Sequence, residues 1–417
     1  MEEKMREGML TPYRVLDLTD DRGFLCGKIL ADLGADVIKV EQPGGDPSRT
    51  RGTFYHSVPD PEKNLNWFTH NVNKRGITIN IEVPDGQDIF KKLVETADFV
   101  IESFAPDYLD NIGLGYESLS KVNPKIILTS ITPFGQTGPY KNYQASDLII
   151  TSLSGIQSIT GDLDRAPLRC CLEQAYLHAS SWGAIGSLTA LHQRQLTGEG
   201  QHVDVSALES MTAVTASTIF GNWDMMKSII RREGNRTKRG DISVRLIWPC
   251  KDGHICWRIF TGTQLGQQTV NMVNIMDEKG KAGWLKDVDW KAEDMTIVTQ
   301  EKWNKWEEAF SDYFLLHTKA ELFQETLSRE VLFAPVNIAK DIIEDSHLKE
   351  RDFWVDVNYP ELNTSLEHTG SPFKLSEFPY KIHRRAPLIG EHNQEIFNGE
   401  LGLSDNELLS LKKVGAI

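Results

Sequence analysis

A doubly wound α/β domain followed by a smaller α+β domain is the architecture that this 417-residue sequence predicts. Two observations carry it. Apolar segments with strand and helix spacing alternate through the first half, which is the pattern of a parallel sheet covered by helices. From about residue 217 the character changes: tryptophan becomes frequent, charges cluster, and helical pieces alternate with short strands. The expected division is 1–216, 217–332 and 333–417.

Arg14 to Thr19 (RVLDLT) reads as a short buried strand. Gly23 to Leu33 follows with Leu25, Ile29, Leu30 and Leu33 at helical spacing, and Gly34 ends it. Ala35 to Glu41 (ADVIKVE) is a second strand, so the first forty residues form a βαβ unit. Ile77 to Ile81 is a strand and Gly86 to Ala97 a helix. Asp98 to Ile101 and Lys125 to Ser130 are two further strands. Glu173 to Gln195 is a long helix rich in small residues (Ala175, Ala179, Ser180, Gly183, Ala184, Gly186), and small residues let another backbone come close. A TGEGQ turn leads to an extended HVDVS segment, His202 to Ser206. In the second region Ile255 to Phe260 is a strand and Gln300 to Phe314 a helix. From Ala334 onward short β-like pieces and turns return.

The composition is that of an ordinary globular protein. A net charge of −14 argues against nucleic acid as the main partner, although a local basic pocket can still hold a polyanion. No apolar run reaches the ~18 residues of a membrane span, and the N-terminus lacks the apolar core of a signal peptide. The five cysteines (Cys26, Cys170, Cys171, Cys250, Cys256) show no CxxC spacing, which fits a reducing cytoplasm and no structural zinc. His178 and His192 lie fourteen apart on the long helix without further ligands, so no metal site is expected.

Several motifs invite functional readings. Gly23-Phe-Leu-Cys-Gly27-Lys28 resembles a phosphate loop, but it has three residues between its glycines instead of four, and Ile29 stands where Ser or Thr belongs. Close helix packing explains those glycines better. Asn73-Lys74-Arg75 offers two cations before a strand, suited either to a solvated turn or to phosphate oxygens. Adjacent Cys170 and Cys171 read as two small buried residues, because neighbouring cysteines bridge only with strain.

Taken in order, RVLDLT, LADLGADVIKVEQPGGDPSRTRG, NKRGITINI, FGQTGPY, RQLTGEGQHVDVS, APVN, GSPFKLS and APLIGEHNQEIF resemble the class III CoA-transferases (the CaiB/BaiF family) from about Arg14 to the C-terminus. The resemblance implies a Rossmann-like large domain completed by the C-terminal segment, a smaller inserted domain, and two subunits interlocked like linked rings. It implies acyl-CoA and a free carboxylic acid as substrates and no metal. By motif position it places Val15, Gln42, Lys74, Arg75, Ser103, Phe104 and Asn111 around CoA. Where the family often reads Glu-Asn-Phe-Arg-Pro-Gly, this chain has Glu102-Ser-Phe-Ala-Pro-Asp107.

The largest departure is at the nucleophile. Family members attack the donor thioester with an aspartate at the start of the long helix, leaving a mixed anhydride. Anchoring on Ile185-Gly186, Arg194 and Thr197 to Gln201 puts Tyr176 at that position. A phenol cannot serve as both nucleophile and carboxylate leaving group. Three alternatives follow. The chain is the non-nucleophilic subunit of a heteromer whose homologous partner carries the aspartate, as in family members that act in anaerobic aromatic breakdown. It is a homomeric transferase using Glu173 or another acid. Or it is a CoA-binding or regulatory pseudoenzyme. A family racemase is disfavoured, because its paired His and Asp read Ser146 and Tyr176 here.

Overall fold

The computed structural model describes residues 8–223, 232–378 and 380–417. They form two compact units. The larger holds the described residues of 8–156, 170–220 and 346–417, and the smaller those of 157–169 and 221–345.

The larger unit is built on a six-stranded parallel sheet of β1 (Arg14–Leu18), β2 (Asp36–Glu41), β3 (Arg75–Thr78), β4 (Phe99–Glu102), β5 (Ile127–Thr132) and β6 (His202–Ser206). The strand order is 3-2-1-4-5-6, the doubly wound order of Rossmann-type folds. Helices α1 (Phe24–Asp32), α2 (Leu65–Asn71), α3 (Pro84–Val94), α4 (Tyr108–Asn111), α5 (Tyr116–Val122), α6 (Asp147–Leu153), α7 (Gln174–Thr197) and α8 (Ala207–Trp223) complete its N-terminal part. One face of the sheet packs on α3 and α5, through residues such as Phe90, Leu93 and Leu119. The other packs on α1 and α7, through Cys26, Leu30, Ala175 and Ala179. The strands read as continuous apolar runs because both faces are covered.

The expected strands and helices of this unit are present with bounds shifted by a few residues. Two glycine readings acquire a cause. A Cβ on Gly27 would lie 2.2 Å from Asp17 Oδ2, so only glycine lets α1 close over the sheet there. At Gly183 a Cβ would meet Ile131 Cδ1 at 3.0 Å and Cys26 Sγ at 3.2 Å, which is why α7 carries small residues on its sheet side. Lys28 is no phosphate ligand: its ammonium is tied to Asp32 and Tyr380.

The C-terminal part returns to this unit. After α13 (Ser346–Glu350, numbered after the α9–α12 given below) and a hairpin of β12 (Trp354–Tyr359) and β13 (Thr364–Thr369), the chain runs along the outer edge of β3. There Gly76 donates to His392 Nδ1 at 3.0 Å and accepts from His392 N–H at 2.9 Å. Trp67 Nε1 donates to Pro387 O at 3.0 Å. The last helix, α14 (Asp405–Lys413), joins the core on the α3 face through Leu408.

The smaller unit holds a three-stranded antiparallel sheet, β9 (Ile247–Cys250), β10 (Gly253–Cys256) and β11 (Ala334–Pro335), and a hairpin of β7 (Arg236–Arg239) and β8 (Ile242–Arg245). Helices α9 (Gly262–Glu278), α10 (Gln300–Leu315), α11 (Lys319–Leu327) and α12 (Ala339–Glu344) accompany them. Its core is aromatic: Trp248, Trp257, Trp290, Trp303 and Trp306 are essentially fully buried with Phe310 and Phe314. Buried indole N–H groups need acceptors, and Trp248 finds Trp257 O at 2.7 Å and Trp303 finds Glu307 Oε1 at 2.9 Å. The strand expected over Ile255 to Phe260 ends at Cys256. No described helix is long and apolar enough to cross a membrane.

Candidate active site

In doubly wound sheets, ligands bind beyond the carboxyl ends of the strands where the strand order reverses. Here that point lies between β1 and β4. The turn after β1, residues 19–23, is held from below by Asp17, whose Oδ1 accepts from Thr19 N–H at 3.0 Å and Thr19 Oγ at 2.7 Å. It is held from the side by Ser103, the first residue after β4. Asp20 N–H donates to Ser103 Oγ at 2.9 Å, and that hydroxyl donates to Asp20 Oδ1 at 2.8 Å. Arg22 forks onto the same carboxylate, with Nε 2.9 Å from Oδ1 and Nη2 2.8 Å from Oδ2. The Arg22 carbonyl accepts from Ser180 Oγ at 3.0 Å, which fixes α7 against the turn.

Helix α7 therefore presents its N-terminus to the switch point, where its dipole favours an anion. The residue placed to use that field is Tyr176. Its side chain is buried, and its hydroxyl donates to Ala145 O at 3.3 Å. Burial raises its pKa to about 12 despite the nearby Arg22, with Asp20, Glu173 and Asp147 adding to the rise. At neutral pH it is a protonated, uncharged phenol. The carboxyl group at this helix end belongs to Asp147 instead: its Oδ1 accepts from Ala175 N–H at 2.7 Å, and its buried Oδ2 has no hydrogen-bond partner among the described residues. Glu173, the fallback acid, is exposed at the N-cap and makes no capping bond.

The surroundings are acidic. Burial and the neighbouring Asp20 push Asp21 up to about 6, although Arg51 opposes them. Glu102, at the end of β4, is driven to about 7 by burial, against bonds from Ser130 and from Phe104 N–H, the latter at 2.6 Å. Ser130 Oγ also lies 2.9 Å from His202 Nε2.

The seven residues expected around CoA separate into two groups. Ser103, Phe104 and Gln42 follow directly after β4 and β2 at the carboxyl edge of the sheet, and Asn111 is exposed at the end of α4. Val15 sits fully buried in mid-strand between Val37 and Phe99. The two cations are likewise buried and paired within the protein and form no solvated turn. Lys74 is fully buried, 2.8 Å from both Asp17 Oδ2 and Asn71 Oδ1 and 3.0 Å from Phe24 O. Arg75 is nearly as buried and is held by Asp36, Glu395 and Glu400. Asp107 adopts a left-handed backbone, φ 64°, and pairs with Lys141 at 2.8 Å. Cys171 is exposed and Cys170 partly so, and both are free thiols, contrary to the buried pair expected. No group of His, Cys, Asp and Glu among the described residues could hold a metal ion.

Sequence reasoning did not single out Asp20, Arg22, Glu102, Asp147 or Ser180 as parts of the site. The signal for the first two was available: they occupy the first βα turn, which a doubly wound sheet places at its switch point.

Comparison with known proteins agrees with this geometry. A family model described as CoA-transferase family III matches residues 10–393. The chain is 34% identical to succinyl-CoA:(R)-benzylsuccinate CoA-transferase subunit BbsE of Thauera aromatica, over 97% of both chains. It is 32% identical to the succinyl-CoA–D-citramalate CoA-transferase of Chloroflexus aurantiacus, over 97% of this chain and 96% of that one. Among solved structures, a CaiB/BaiF family protein from Brucella suis superposes with a TM-score of 0.81 at 27% identity, covering 94% of this chain and 99% of the other.

Proposed function

The chain belongs to CoA-transferase family III, and from that premise we propose that it is the non-nucleophilic subunit of a heteromeric CoA-transferase. The enzyme moves CoA from an acyl-CoA donor such as succinyl-CoA to a free carboxylic acid of aromatic type. The carboxylate that forms the mixed anhydride belongs to a homologous partner chain. The observation that carries this reading is Tyr176, a buried protonated phenol at the helix end where the family chemistry needs a carboxylate. The acidic neighbours of Tyr176, namely Asp20, Glu173 and Asp147, support it, because a further carboxylate there would meet like charge, although Arg22 opposes them. The relative in Thauera aromatica, itself named as a subunit, supports the division of labour and the acid class.

The test is reconstitution. The pure chain is assayed with succinyl-CoA and a series of free acids, then again with an aspartate-bearing homologue from the same source. Turnover is expected only in the mixture. Robust turnover by the chain alone contradicts the reading and favours Glu173.

A further inference from the structure

The chain has a net charge of −14, yet one hairpin of the smaller unit is basic. Between Arg236 and Arg245, β7 and β8 carry Arg236, Lys238, Arg239 and Arg245 against a single acid, Asp241. Arg236 has a counter-ion, with Nη2 2.8 Å from Glu307 Oε2. That carboxylate is fully used, because its Oε1 also accepts from Arg245 N–H at 2.8 Å and Trp303 Nε1 at 2.9 Å. No carboxylate among the described residues pairs with the guanidinium of Arg239, of Arg245 or, just past β10, of Arg258.

Unpaired cations on a surface are ordinary, because water takes their N–H groups. This group differs in where its donors end. Six buried side-chain polar atoms among the described residues lack a hydrogen-bond partner, and four of them, Thr237 Oγ1, Arg245 Nε, Trp257 Nε1 and Arg258 Nε, fall between residues 237 and 258. Buried donors are paired as a rule, so the concentration calls for an acceptor. Both guanidiniums are braced by rings: Arg258 lies 4.4 Å from the centroid of Phe260, and Arg245 5.3 Å from that of Trp248. A guanidinium stacked on its face keeps its N–H edge for a ligand. Trp257 N–H donates to Leu246 O at 2.9 Å, so Arg245 and Arg258 flank the same end of the β9–β10 pair. Burial, and then the charge of Arg239, lower the pKa of Arg258 from its ordinary value, so these two cations repel each other across a partly desolvated gap.

We propose that Arg239, Arg245 and Arg258 form an anion site within the smaller unit, and that its ligand is a small dianion with paired oxygens, as a dicarboxylate or a phosphate monoester presents. Guanidinium forks take such oxygens two at a time. Charge sets the class. A monoanion leaves two of the three cations unopposed, whereas a dianion leaves one. An extended polyanion does not fit, because beyond this patch it meets a chain of net negative charge. The site does not depend on which chain carries the nucleophile, so it stands or falls separately from the proposed function.

The experiment is isothermal titration calorimetry on the full chain with succinate, with inorganic phosphate, and with acetate as the monoanion. Arg239→Gln, Arg245→Gln and Arg258→Gln are compared with Lys340→Gln, an exposed cation of the same unit. One of the two dianions is expected to bind more tightly than acetate, and which one does so separates a dicarboxylate from a phosphate ligand. Each arginine variant is expected to weaken that binding by about tenfold or more, and Lys340→Gln to leave it unchanged. Arg258→Lys, which keeps the charge and loses the fork, is expected to fall between. Should Arg258→Gln lose the parent's circular dichroism, Arg239→Gln, exposed on the hairpin, carries the test. Absence of binding by both dianions at about 10 mM overturns the proposal, as does binding that the folded arginine variants leave unchanged or that acetate matches.

Discussion

Asp17 is the residue on which the larger unit's interior charge turns. It is fully buried between two lysines, Lys74 at 2.8 Å and Lys39 at 3.8 Å, with Lys39 also bonded to the Asp17 carbonyl at 3.2 Å. Burial alone would raise its carboxyl pKa, but Lys74 and Lys39 outweigh that and hold it below the ordinary range. Removing one member of such a cluster strands the others without compensation. Asp17→Ala is therefore expected to cost about 3–5 kcal/mol of unfolding free energy, read as a shifted urea midpoint or as failure to accumulate folded protein. This pairing of Lys74 was not legible in the sequence. A cation before a strand looks the same whether it faces a phosphate or a buried carboxylate, and Asp17 is 57 residues away in sequence.

The elements around the switch point show two further dependences. Helix α1 can lie over Asp17 only because residue 27 has no side chain. Gly27→Ala drives a methyl against a fully buried carboxylate, and a loss of about 1–3 kcal/mol is expected by denaturant titration. At the end of β4, the Glu102 pKa rises from an ordinary 4.5 to about 7. A carboxyl raised in the fold resists ionisation there. Its cost is absent below pH 4.5, grows between 4.5 and 7, and is constant above. Glu102→Gln removes that cost while keeping an acceptor for Phe104 N–H. The variant is expected to be more stable than the parent at pH 8 by about 2–4 kcal/mol and nearly equal to it at pH 4.5, compared through urea midpoints. The helix α7 itself was legible in the sequence, because small residues at helical spacing have few other uses. The partnership of Asp147 with its N-terminus was not: it joins residues 28 apart through a side-chain-to-backbone bond that leaves no periodic trace.

For the whole molecule, the doubly wound sheet and the tryptophan-rich second region reflect patterns that the sequence displays openly, whereas the return of the C-terminal part was implied by the family resemblance alone. Continuous apolar strands, alternating helices and a cluster of indoles each have one economical packing. The positions expected around CoA were less legible. Motif position carries a residue's place along the chain but not its depth: Val15 lies inside the sheet, and Arg75 begins β3 at the edge opposite Ser103 and Phe104. Acid sensitivity is also a property of the whole fold. Burial pushes His368 down to about 4, with its Nε2 3.0 Å from Tyr359 Oη, so the fold requires the neutral imidazole. The unfolded chain protonates at the ordinary 6.5. Stability from this group is thus complete above pH 6.5 and declines as pH falls toward 4. His368→Gln is expected to flatten the stability profile across that window, as thermal melts at half-unit pH steps would show.

The proposal that the head of α7 carries no nucleophile is tested most directly by covalent trapping. The chain is incubated alone with succinyl-CoA, quenched with hydroxylamine or borohydride, and the peptide spanning Glu173 and Tyr176 is mapped by mass spectrometry, with Tyr176→Asp run in parallel. No modification is expected on the parent at either residue. None is expected on the variant either, since Asp20, Glu173 and Asp147 place like charge near the position, although Arg22 opposes them. A hydroxamate or reduced adduct at Glu173 of the parent would contradict the account, by showing that this chain carries its own nucleophile.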